Sequence, residues 1–116
     1  MASLWIVNED RSIRAEIVPA HGGMVAQIEL EGKELLHIDR GQLETAPMAA
    51  GGMPILFPFP SKTKDDAYQF KGKQYHMPMH GLVKKVNVFA VGETGENRAR
   101  LWLEKQPVLE SPVLSV

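Results

Sequence analysis

Met24-Val25-Ala26-Gln27-Ile28-Glu29-Leu30-Glu31-Gly32-Lys33 alternates apolar and polar residues and then breaks at Glu31-Gly32. A period of two over seven residues predicts a half-buried strand, with Met24, Ala26, Ile28 and Leu30 on one face and Gln27 and Glu29 on the other. Glu31-Gly32 predicts a tight hairpin into residues 33–37. Upstream, Ile13, Ala15 and Ile17 oppose Arg14 and Glu16, which predicts a second strand. Between the two, Pro19 interrupts pairing and Gly22-Gly23 permits positive φ, so residues 19–23 read as a turn with His21 at its tip. The same grammar recurs downstream. Residues 68–70 and 74–76 bracket Lys71-Gly72-Lys73, Val86, Val88 and Ala90 alternate, Gly92 to Asn97 read as a turn, and Ala99, Leu101 and Leu103 alternate with Arg100 and Glu104. Residues 38–50 show no period and read as loop. The expected class is all-β, an antiparallel sandwich of short strands joined by Gly and Pro turns.

The chain's 116 residues, 44% of them hydrophobic, suit one folding unit. Thirteen Lys plus Arg against 14 Asp plus Glu give a net charge of -1, which provides no field for nucleic acid or an anionic membrane surface. A neutral small molecule is the expected partner. The absence of cysteine removes disulfides and thiolate metal sites and suits a cytoplasmic location. The opening run before Asn8-Glu9-Asp10-Arg11 is too short for a targeting signal, and no apolar stretch is long enough to span a bilayer as a helix.

The stretch from Gly51 to Gly81 has the grammar of a site. Gly51-Gly52-Met53-Pro54-Ile55-Leu56-Phe57-Pro58-Phe59-Pro60 is rigid, apolar and turning, because proline fixes φ and deletes backbone donors. Pro78-Met79-His80-Gly81 closes the stretch on a histidine. His80 reads either as a ligand-facing imidazole or as a half-buried structural one. His76 lies four residues from it, but Pro78 between them breaks any shared helical face and no neighbouring carboxylate completes a ligand set, so no metal is expected. Gly51-Gly52 reads as a turn needing positive φ or as a close approach of backbone to a ligand, with the Met53 N–H facing the site. Phe57, Phe59, Tyr68 and Tyr75 read as core or as ring faces for the C–H surface of a ligand.

With the Gly51 to Phe59 block, Tyr68-Gln69-Phe70-Lys71-Gly72-Lys73-Gln74-Tyr75 and Met79-His80-Gly81-Leu82, the chain resembles the galactose mutarotase-like family, and within it the aldose 1-epimerases. Ile17-Val18-Pro19 through Gly22-Gly23-Met24, and Gly32-Lys33-Glu34-Leu35-Leu36, extend the resemblance upstream, so that it covers residues 12–103. It implies the N-terminal portion of a larger β-supersandwich that interconverts the α and β anomers of an aldohexose. A general base takes the anomeric hydroxyl proton, an acid protonates the ring oxygen, and the open-chain aldehyde rotates and recloses. That chemistry needs no metal or cofactor. The family's glutamate base and histidine acid lie in its second half and have no matching position here. The resemblance implies a substrate-positioning role for His80, with Gly52, Met53, Phe57 and Lys84 as further substrate-binding residues. Members acting on hexose 6-phosphates carry arginines where this chain has Ala50 and Lys84, and lysine lacks the planar fork that grips phosphate.

Residues 1–105 are expected to form this portion, and residues 106–116 a proline-containing tail without alternation. Two alternatives stay open: a non-catalytic carbohydrate-binding module, and a truncated or partner-dependent half-domain that self-associates through unpaired strand edges.

Overall fold

The computed structural model describes residues 3–45, 50–57, 60–81 and 89–103. Expectations for residues 86–88, for Pro58 and Phe59, for Lys84 and for the 106–116 tail fall outside these residues. Three antiparallel units make up the described part. A four-stranded meander runs β1 (Leu4–Val7), β2 (Ile13–Val18), β3 (Met24–Leu30) and β4 (Lys33–Glu34) in sequence order. Two hairpins follow, β5 (Ala67–Phe70) with β6 (Lys73–His76), and β7 (Phe89–Thr94) with β8 (Ala99–Leu103). The described residues are nearly all β, in antiparallel sheets with very little helix, as in part of a β-sandwich.

Each turn has a local cause. Asn8 closes the first hairpin twice: its N–H donates to Ile13 O (3.1 Å) and its side-chain oxygen accepts from Ile13 N–H (2.9 Å). Asp10 accepts from Ser12 N–H (2.9 Å), and the Ser12 hydrogen bonds hold its carboxyl below the usual carboxylate range. Glu31 and Gly32 take φ of 50° and 82°, and Lys71 and Gly72 take 50° and 77°, the paired positive values of tight hairpin turns. β7 runs through Gly92 to Thr94, further than the sequence predicts, with its register shifted between Val91 and Thr94.

Two expectations are corrected. Residues 38–50 are not all loop, because Arg40–Thr45 form a short helix, α1. Asp39 starts it, accepting the Gln42 N–H on its side chain (3.2 Å) and its carbonyl (3.1 Å). The facing of β3 also differs from simple alternation, whereas β2 alternates as its sequence predicts but buries the face that carries Glu16. Glu16 pairs with Gln27 and Ile17 with Val25, so Ala26 has no partner across the ladder. This bulge turns both Ala26 and Gln27 inward. Glu16, Val18, Met24, Ala26 and Gln27 are therefore buried, whereas Ile13 and Leu30 are exposed and Ala15, Ile17, Val25 and Ile28 are half-buried.

The small core explains the inversion. Val18, Met24 and Ala26 pack with Leu43 of α1, with Ile38 against them. α1 lies over one face of the sheet through Leu43, while Met53 pairs along the β3 edge with Val25 and Gly51 bridges to Ile38, so that face is buried whatever its polarity. Its polar residues are paired. Arg40 meets Glu16 with two hydrogen bonds (2.7 and 3.1 Å), and Ser3 donates a third (2.5 Å). Gln27 donates to Leu36 O (2.7 Å) while its side-chain oxygen accepts from Leu36 N–H (2.7 Å). On the neighbouring rung Arg14 pairs with Glu29 and stacks over Trp5, 4.2 Å from the ring centroid.

Candidate functional site

The Gly51 to Gly81 stretch is attached to the sheet at its first residues and to itself at its last. Gly51 bridges to Ile38, and Met53 pairs with Val25 through reciprocal backbone bonds of 2.7 and 3.1 Å. The Met53 N–H is the donor of the shorter bond, so Val25 O holds the group that the sequence would turn toward a ligand; the Met53 side chain is exposed. Gly51 and Gly52 both have positive φ (94° and 68°). A Cβ on Gly51 would stand 2.1 Å from His37 O, and one on Gly52 would stand 2.8 Å from Val25 O. Gly51 therefore lets this backbone lie against His37 and Ile38, and Gly52 lets it lie against the start of β3.

Further along, Phe57 bridges in parallel to Gly81, which brings Phe57 beside the residue that follows His80. His80 itself has left-handed backbone (φ 67°) and is half-buried. Its N–H donates to Ser61 O (2.8 Å), and its ring Nδ1 accepts from Ser61 N–H (3.1 Å). Ser61 is also left-handed, at φ 61°. Two strained residues thus hold each other in a two-bond ring. Met77, 1% exposed, anchors the same loop, and its N–H donates to Asp66 O (2.8 Å). Nearby in sequence, the Thr63 hydroxyl is buried with no hydrogen-bond partner.

The β5–β6 hairpin projects between these anchors, with Tyr68 stacked on Tyr75 at a centroid distance of 5.4 Å. The two rings are spent partly on each other. The structure joins Phe57 to the His80 loop, Met53 to Val25 of β3 and the Gly52 N–H to His37 O (2.7 Å), attachments on different elements. Lys84 lies outside the described residues. Where the sequence reading places an arginine in phosphate-specific relatives, Ala50 donates its N–H to the Gln42 side chain (2.6 Å) and its carbonyl accepts from Asp39 N–H (3.0 Å).

Sequence reading missed the buried Glu16 cluster. The Arg40 hydrogen bonds, and after them the Ser3 hydroxyl, hold the Glu16 carboxyl below its ordinary range against the opposing effect of burial, and the same contact raises Arg40. Alternation alone assigns Glu16 to solvent; the Asp39-to-Gln42 capping pattern was the available signal that a helix bearing Arg40 follows. A cleft of about 210 Å³ lies elsewhere, lined by Ile6, Ile13, Ala15 and Asn97 among others, and none of its residues belongs to the Gly51 to Gly81 stretch. Among the described residues, no three His, Asp or Glu side chains converge as a metal site, and no helix is long and apolar enough to cross a membrane.

No family model matches the chain, and a search of curated proteins finds no match. Solved structures do match. The Slr1438 protein from Synechocystis sp. PCC 6803 is 27% identical with a TM-score of 0.73, over 86% of this chain and 35% of that one. A galactose mutarotase related enzyme from Lactobacillus acidophilus is 23% identical with a TM-score of 0.69, over 91% and 33%. A galactose mutarotase-like protein from Lactobacillus casei is 22% identical with a TM-score of 0.61, over 82% and 30%. The chain spans about a third of the length of the structures it matches. Its fold is part of the galactose mutarotase-like fold.

Proposed function

We propose that this chain forms the sugar-facing N-terminal portion of an aldose 1-epimerase-like fold, with His80 on the wall of a site for a cytoplasmic aldohexose. The observation that carries the reading is His80 itself. Its backbone N–H is held by Ser61 O (2.8 Å) and its ring Nδ1 by Ser61 N–H (3.1 Å), so a half-buried imidazole is fixed in one orientation. Fold likeness to two mutarotase-like proteins supports a carbohydrate ligand. Phe57, tied to Gly81, provides an exposed ring for the C–H face of a sugar. Gly52 and Met53 contribute by setting the backbone course, and Lys84 by meeting a hydroxyl or a phosphate as a point charge.

The isomerase chemistry needs a base at the anomeric hydroxyl and an acid at the ring oxygen, and the resemblance assigns neither to a residue of this chain. The expected behaviour of the chain alone is therefore sugar binding without anomer exchange. Proton NMR on freshly dissolved α-galactose tests both halves of this reading. Saturation transfer from protein to sugar is expected, with interconversion at the buffer rate. Exchange above that rate would show that this chain supplies its own acid and base. Absence of transfer to galactose, glucose and their 6-phosphates would remove the carbohydrate reading.

A further inference from the structure

We infer that Ser61 is the positioning residue for His80, and that its backbone amide fixes which proton the imidazole presents. The inference rests on the reading of His80 as a sugar contact and adds the chemical sense of that contact. Ser61 N–H donates to Nδ1, so this nitrogen is an acceptor and the neutral ring carries its proton on Nε2. The reciprocal bond from His80 N–H to Ser61 O fixes the backbone beneath the ring, so the tautomer and the side-chain direction are set by one neighbour. His80 then meets a ligand as a hydrogen-bond donor through Nε2. The group it recognises is an oxygen lone pair, a hydroxyl or ring oxygen of the sugar, rather than a hydroxyl acting as donor.

Both left-handed residues belong to this device. Neither Ser61 nor His80 is a glycine, and their two mutual hydrogen bonds offset the backbone cost of φ 61° and 67°. Asparagine tolerates the same conformation and its side-chain oxygen can replace Nδ1, whereas glutamine reaches the Nε2 position and leaves Nδ1 without a counterpart. The pair separates the inward role of the ring from the outward one.

Two-bond nitrogen–proton NMR of the full chain, with the ring neutral, reads the tautomer without any ligand. The expected pattern is an unprotonated Nδ1 and a protonated Nε2; a protonated Nδ1, or an even mixture, overturns the assignment. His80→Asn is expected to keep the slow exchange of the Ser61 amide and lose saturation transfer to galactose. His80→Gln is expected to speed Ser61 exchange about tenfold, the value of one lost hydrogen bond of ordinary strength. Unchanged Ser61 exchange in His80→Gln would overturn the positioning role. Undiminished galactose transfer in His80→Asn, with the expected tautomer in the unmodified chain, would instead remove the sugar-contact reading and leave the Ser61 assignment standing.

Discussion

On one face of the four-stranded sheet Glu16, Val18, Met24, Ala26 and Gln27 are buried, two of them polar; on the other, Leu4, Ile6, Ile13, Ala15, Ile17, Val25, Ile28 and Leu30 form an uncharged surface on which no residue is buried. The apolar face is the open one. Burial here follows what lies over the sheet. α1 sits on the mixed face, beside the Gly51 to Met53 segment at the β3 edge, and the polar groups of that face find partners in Arg40, Ser3 and the Leu36 backbone. With Ile13 and Leu30 exposed and the others half-buried, the open face has used only part of its hydrophobic driving force, and completing the burial of each large aliphatic side chain would add some fraction of about 1.5–3 kcal/mol. Composition decides what a face can gain from being covered, whereas topology decides whether it is.

Substitutions can break or sharpen this contrast. The largest effect is expected at Gly51→Ala, which drives a Cβ into His37 O at a backbone φ of 94° and breaks the bridge to Ile38, a residue packed against the core of the mixed face. A loss of about 3 kcal/mol or more is expected in urea unfolding. A loss near that of an exposed loop position would show that the bridge between Gly51 and Ile38 does not support the core of the mixed face.

Glu16→Gln comes next. The Glu16 carboxyl is lowered in the fold, by Arg40 first and Ser3 second, so its contribution is full above the ordinary carboxyl value and is lost as pH falls through the lower folded one. With the Arg40 side chain half exposed, about 1–2 kcal/mol is expected at neutral pH. Thermal melts from neutral to strongly acid pH should show the unmodified chain converging on the flatter profile of the variant. Parallel profiles would mean that the pair does not form in solution.

The smallest effect is expected on the open face. Ile13→Lys should change monomer stability by no more than about 0.5 kcal/mol while reducing any concentration-dependent association seen by sedimentation. A cost above about 2 kcal/mol would show that this face is covered in solution after all.

The strands and their turns were legible because each is a local property. Glu31-Gly32 and Lys71-Gly72 announce their hairpins, and the alternation of residues 13–17 and 24–30 announces the strands. The facing was not legible, because a single unpaired residue, Ala26, rotates Gln27 to the inside, and a bulge leaves no mark in hydrophobic period. The helix was missed because its six residues are too few to show a stripe, although Asp39 and Gln42 carried its cap. At the candidate site the sequence singled out His80, but a contact between residues 61 and 80 is long-range and their shared left-handed backbone is invisible in residue type.

The Gln27 side chain has one more consequence, and it concerns sequence drift. Its amide answers the Leu36 N–H and C=O as a neighbouring peptide would, so a single side chain stands where another strand could have paired. Few replacements can inherit that post. Glutamate, one base away in the genetic code, opposes Leu36 O with a second acceptor; methionine and leucine match the volume and offer no donor; asparagine has the chemistry on a shorter arm. A descendant of this chain that loses the glutamine is therefore expected to differ at residues 35–37 as well, the two sites changing as one inherited unit.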